Sequence, residues 1–288
     1  MATIEFSEEQ SMLLETAADF CRKNSPLDGV RKQIEQEDSV DAAVWAEMAD
    51  LGWLGITIPE QYGGLGLSLA DAVPVVESMG RHLMGSPYIA TVLAANALVV
   101  SGSETQKSHW LPQIAAGAVA TLGLTEEDGN WRLNEVHTKG VASSGSITFS
   151  GKKCFVMDAP KASVIIVSAM IDGEAKLVLV QGDQLPDNAL TRETVIDETR
   201  RSYSLDLNGV TVPSEQILAG ADFASIEQAA LLLLTAEMAG GLAGVLHVIV
   251  DYLTTRKQFD QYIGSYQSLK HPSVQILLSM EACRSHLY

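Results

Sequence analysis

The chain has 288 residues, with 19 Lys and Arg against 36 Asp and Glu, a formal net charge of −17, and 47% hydrophobic residues. This length makes room for about two packed domains with full cores and excludes a disordered chain. The acidic excess, with no basic cluster to offset it, excludes nucleic acid and anionic membrane surfaces as partners. Cys21, Cys154 and Cys283 form no CxxC pair and no even set, so they read as reduced thiols of a cytoplasmic protein. The six histidines show no HxxxH or HExxH spacing, and no metal site is expected.

Glu5, Glu8 and Glu9 stand where a signal peptide carries basic residues, so export is not expected. Ser7 and Gln10 form a capping-box pattern ahead of Leu13, Leu14, Ala17, Ala18 and Cys21, a helical run that ends at Asn24-Ser25-Pro26. Asp41 caps a second helix carrying Val44, Trp45, Met48 and Leu51, followed by a glycine-rich turn over 59–66. Ser68 and Asp71 open a third helix that Pro74 is expected to bend, and two apolar-faced helices follow over 88–100 and 104–116.

Near Val119 the pattern changes. Short β-branched runs at 146–149, 164–167 and 176–180, punctuated by Gly, Asp, Asn and Pro, predict a β domain reaching about Leu218. Helical periodicity returns over 224–254 and again from Ser268 to Tyr288. Within the first of these, Ala229 to Val250 is apolar on nearly every side but broken by Thr235, Glu237 and His247, which predicts a helix buried in a bundle rather than a membrane span.

Five sets of residues then carry a resemblance. They are Leu51-Gly52-Trp53-Leu54-Gly55 with Pro59-Glu60 and Gly63-Gly64-Leu65-Gly66; Leu111-Pro112-Gln113-Ile114-Ala115-Ala116-Gly117; Leu124-Thr125-Glu126; Val210-Thr211-Val212-Pro213; and Arg256-Lys257-Gln258-Phe259 with Ile263-Gly264 and Gln267. In order and spacing, across nearly the whole chain, they resemble the acyl-CoA dehydrogenase family of flavoproteins. The resemblance implies an α+β fold with an N-terminal helical domain over 1–118, a middle β-barrel-like domain over 119–220, and a C-terminal helical bundle over 221–288 that is truncated relative to the family. It also implies FAD as cofactor and an acyl-CoA substrate, in fatty acid or steroid side-chain catabolism. A carboxylate would remove the proton beside the thioester carbonyl while a hydride leaves the adjacent carbon for the flavin.

Carried over position by position, the resemblance implies that Leu124, Thr125, Phe155, Val156 and Met157 lie beside the flavin. Arg256, Phe259 and Gln267 would reach across to FAD held mainly by a neighbouring subunit, Arg being suited to a pyrophosphate by its paired, charge-assisted donors. Trp131 and Glu237 are candidates on the substrate side. Trp131 also has a plain reading as a core aromatic, and Glu237 as a paired or interface carboxylate. The small residues Ala239, Gly240 and Gly241 suggest volume for a bulky acyl group.

The chain departs from the family pattern in four places. Asn130 and Trp131 replace the glycine and serine of an open loop, and Met157 replaces a hydroxyl-bearing residue beside the flavin edge. Asp260 and Tyr262 replace Gly and Pro after Phe259, and the commonest catalytic Glu position lies beyond Tyr288 while the alternative one falls on Ala230. The catalytic base is therefore unassigned. The expectation is a degenerate subunit whose own flavin pocket is eroded and whose Arg256 arm serves another acyl-CoA dehydrogenase-like subunit, with electron-transfer flavoprotein as a further partner. The alternatives are a self-sufficient homomeric dehydrogenase whose sequence stops short, and a non-catalytic scaffold with this fold.

Overall fold

The structure is a computed structural model describing residues 8–288. The expected Ser7–Gln10 capping box involves side chains outside those described. The helices are α1 (Glu8–Asn24), α2 (Leu27–Ile34), α3 (Ala42–Asp50), α4 (Val73–Arg81), α5 (Tyr88–Ser101), α6 (Glu104–Ala115), α7 (Phe223–Thr255) and α8 (Gln267–Leu287). The strands are β1 (Ala120–Gly123), β2 (Lys139–Ser143), β3 (Ser146–Ser150), β4 (Lys152–Met157), β5 (Val164–Ile171), β6 (Glu174–Gln181), β7 (Leu190–Arg192), β8 (Ser202–Asp206), β9 (Thr211–Pro213), β10 (Lys257–Gln258) and β11 (Gln261–Tyr262). The fold is α+β, with N-terminal helices, a curled middle sheet and C-terminal helices, in the order expected.

The chain divides into two compact units, Arg31–Leu69 with Gly85–Ala230, and Met1–Val30 with Ala70–Met84 and Leu231–Tyr288. In the first, β1, β5, β2, β3 and β9 lie in that order with β6 beside β5, and β4, β8 and β7 form a second, three-stranded sheet. The apolar runs of β5 and β6 do not alternate with polar residues because both faces of these strands are covered. Val164, Ile166, Leu177 and Leu179 face the helical side with Leu98, Leu111 and Ile114. Ile165, Val167, Val178 and Val180 face a second core with Val156 and Leu205 from the three-stranded sheet and Leu207 just beyond β8.

Capping side chains start two helices of this unit. Asp41 accepts from the Ala43 amide at 2.8 Å, as expected, and Ser103 and Gln106 form a reciprocal capping box at the start of α6. Arg201, 1% exposed, closes the C-terminal end of α2 by donating to the carbonyls of Gln33, Gln36 and Glu37. Beside it the buried Asp158 accepts from the Ser39 hydroxyl at 2.5 Å.

The second unit packs α1, α4, the larger part of α7, and α8. Pro74 does not bend α4: it sits in the first turn, where a missing amide costs nothing, and so starts the helix. The volume at Gly240 is filled, not free. A Cβ there would lie 1.8 Å from the Glu77 carbonyl oxygen, and one at Gly80 would lie 2.0 Å from the Glu237 carbonyl oxygen. Gly80 and Gly240 let α4 and α7 cross at backbone contact, which corrects the expectation that Gly240 makes room for an acyl chain.

The burial expected for α7 is also corrected. In its most apolar 18-residue window 28% of the residues are buried, and by length and composition it could cross a membrane. Leu231, Leu234, Met238, Leu242, Val245 and Val248 form an exposed stripe at helical spacing. Periodicity alone cannot distinguish an apolar side covered by the chain's own core from one left open.

Candidate functional site

Two sets of expected site residues lie in different units. The first is built around β4. Lys153 and Cys154 are both buried, and the register to β8 shifts between Lys153 and Val156. This bulge gives Phe155 a φ of 55° and turns its ring outward, leaving it 41% exposed. The Phe155 amide donates to Glu193 Oε2 at 3.1 Å, and the same oxygen accepts from the Ser202 hydroxyl at 2.6 Å. On either side, Val156 is fully buried in the core between the sheets and Met157 is half-buried where β4 pairs with Ser202.

Thr125 sits opposite this bulge. Its hydroxyl donates to the Cys154 carbonyl at 2.7 Å, and the Cys154 amide donates to the Thr125 carbonyl at 2.9 Å. Leu124 is half-buried against the helical core, and its carbonyl accepts from Ser168. Thr125 is thus engaged with the strand it flanks.

The loop after Thr125 is tightly tied. Glu126 accepts from the amides of His137 and Thr138, each at 2.9 Å, and from Lys153 Nζ at 2.6 Å. Burial alone would raise the Glu126 carboxyl, but the hydrogen bonds from Lys153 and Thr138 outweigh it and hold the group at about 2. Burial lowers Lys153, whose side chain is fully enclosed and also reaches the Ser168 hydroxyl at 2.9 Å. The contribution of Lys153 is not legible in local sequence pattern, because its partner Glu126 lies 27 residues earlier. Its one available signal was a Lys-Lys pair entering an apolar strand beyond the acidic run Glu126-Glu127-Asp128. A cavity of about 350 Å³ lies beside the loop, lined by Glu126, Glu127, Asp128, His137 and Lys152 among others.

Trp131 is not a core residue. It is 67% exposed and stacks on Phe155 with ring centroids 5.8 Å apart and planes 25° apart.

The second set lies at the end of α7. The strands β10 and β11 pair as a two-residue hairpin whose turn is Phe259-Asp260, with φ of 51° and 61°. Left-handed angles at both turn positions match the twist of paired strands but suit Asn-Gly, not these residues. Phe259 is 88% exposed at the tip. Arg256 at the base is exposed, its guanidinium 5.8 Å from the centre of the Tyr252 ring, and it has no ion pair among the described residues. Gln267, also exposed, opens α8. Glu237 lies on α7 apart from this hairpin, half-buried, with its backbone against Gly80.

The β4 set does not fit a flavin. The Phe155 ring already carries Trp131, the Thr125 hydroxyl proton is spent on Cys154, and Met157 offers no donor. The hairpin set is different: it presents an exposed guanidinium, aromatic ring and carboxamide, a donor set that suits an anionic group.

Residues 7–118 match the family model described as acyl-CoA dehydrogenase, N-terminal domain. The acyl-CoA dehydrogenase IpdE2 of Mycolicibacterium smegmatis is 30% identical, over 97% of this chain and 75% of that one. The mitochondrial isovaleryl-CoA dehydrogenase of Pongo abelii is 27% identical, over 98% of this chain and 71% of its own. The solved ChsE4-ChsE5 complex from Mycobacterium tuberculosis superposes with a TM-score of 0.88 at 25% identity, covering 98% of this chain and 77% of that one. The chain belongs to the acyl-CoA dehydrogenase family, whose members are flavoproteins.

Proposed function

We propose that this chain works in the FAD-dependent α,β-dehydrogenation of a CoA thioester as the subunit that completes a partner's flavin site. The Arg256–Phe259–Gln267 arm is the contributing element, and the partner is another acyl-CoA dehydrogenase-like subunit. The observation that carries this is the contrast between the two sets. Arg256 and Phe259 stand exposed on a hairpin whose turn holds Phe and Asp in left-handed angles, whereas the Phe155 ring of β4 carries the chain's own Trp131. A turn held in left-handed angles by Phe and Asp costs stability and is characteristic of a functional contact. That the ChsE4-ChsE5 complex is among the structural neighbours supports a heteromeric assembly.

The test is to purify the chain alone and together with a co-expressed homologue from the same source, and to record visible spectra. A colourless chain and a yellow complex are expected, with Arg256→Ala lowering the flavin content of the complex. Strong flavin absorbance from the chain alone would overturn the proposal.

A further inference from the structure

We infer that Trp131 is a built-in occupant of the Phe155 face, standing where a flavin ring would otherwise stack and so keeping the cofactor out of this chain's own β domain. The inference deepens the function proposed above and rests on its premise that this β domain holds no flavin.

Both rings are presented deliberately. Phe155 leaves the strand register through the bulge and its left-handed φ, and its amide is anchored by Glu193. Trp131 comes from a loop pinned at several points. The Asn130 amide donates to Asp128 Oδ1 at 3.1 Å, the Asn130 carboxamide to Glu135 Oε2 at 2.7 Å, and Arg132 Nη1 to Glu135 Oε1 at 2.9 Å. A ring held this way gives up little conformational freedom when it stacks. With Trp131 67% exposed, the pair sits at the surface, so core packing does not account for it.

The charges around the stack point the same way. A dinucleotide brings a pyrophosphate that needs free cationic donors. The nearby cations are already committed: Lys152 to Glu127 at 3.0 Å, Lys153 to Glu126 at 2.6 Å, and Arg132 to Glu135 at 2.9 Å. The Phe155 face and the enclosed Lys153 are thus already engaged within the chain.

The full chain is tested alone as wild type, Trp131→Ser and Trp131→Phe, titrated with FAD and followed by FAD fluorescence anisotropy, with near-ultraviolet circular dichroism reporting the stack. Because Trp131 is mostly exposed, the variants should keep the wild-type unfolding midpoint. Wild type and Trp131→Phe should bind FAD weakly and alike. Trp131→Ser should lose the aromatic dichroism band and bind FAD roughly tenfold more tightly, the change that one recovered ring stack is worth. If wild type and Trp131→Ser are equally weak, the assignment of Trp131 falls while the proposed function stands. If wild type alone binds FAD tightly, both fall.

Discussion

Arg284 of α8 donates from Nε to Glu77 Oε1 of α4 at 2.7 Å, and the Tyr288 hydroxyl donates to the other oxygen of the same carboxylate at 2.6 Å. Glu77 is buried, so its charge is stable there only because both oxygens are satisfied. Burial and the contact with Glu77 also push the Tyr288 hydroxyl up, keeping it a donor throughout the working range of pH. Arg284→Ala leaves the carboxylate enclosed without its cation and should cost about 3 kcal/mol. Urea unfolding of the wild type, Arg284→Ala and Glu77→Gln/Arg284→Ala measures it. Recovery of part of the loss in the double variant is expected, because the orphaned charge has gone.

Gly240 and Gly241 are neighbours in sequence with opposite tolerance. A methyl at Gly240 would meet the Glu77 carbonyl oxygen at 1.8 Å, whereas one at Gly241 would find its nearest atom, the Gly80 carbonyl oxygen, at 3.8 Å. Gly240→Ala should therefore force α4 and α7 apart and cost about 3 kcal/mol or more. Gly241→Ala should gain about 0.5–1 kcal/mol from reduced backbone freedom in the unfolded chain. Thermal unfolding of the two variants side by side decides it, and equal effects would contradict the helix crossing described above.

Asp158 is pushed up from 3.8 to about 6 by burial, against the opposing hydrogen bond from Ser39. Folding therefore favours the protonated acid. The associated stability is present below about pH 4 and is lost as pH rises through about 6. By neutral pH the loss is on the order of 2–3 kcal/mol. Asp158→Asn keeps an acceptor for Ser39 and tolerates the φ of 50° at this position. Unfolding free energies measured between pH 4 and 8 should show wild type and variant alike at the acid end and the variant more stable at the neutral end.

The elements readable from the sequence were those governed by local pattern. Asp41 caps its helix through a contact two residues away, and the apolar runs of β5 and β6 are strands because a short run of four to eight apolar residues between turn signals has few other options. The bulge in β4 was not readable, since Lys153 is buried only because Glu126, 27 residues earlier, waits inside to pair with it. The Trp131–Phe155 stack depends on that same bulge, so a residue that is an ordinary core aromatic by composition becomes a surface one. Likewise, the glycines of α7 announce a close approach but not its occupant, which is the backbone of α4 in this structure.

The tip of the hairpin separates folding from function in one pair of variants. Asp260 holds a φ of 61° that glycine adopts freely, so Asp260→Gly should stabilise the turn by about 1 kcal/mol. Phe259, 88% exposed, contributes little to the fold of the isolated chain, and Phe259→Ala should leave the unfolding midpoint within about 0.5 kcal/mol of wild type. In a complex with a flavin-bearing partner the order should reverse. Phe259→Ala should lower the flavin retained after gel filtration, while Asp260→Gly leaves it unchanged or raises it. The ring would then act on the neighbour's cofactor and not on its own chain, whereas unaltered flavin content in the Phe259→Ala complex would remove the hairpin tip from the proposed role.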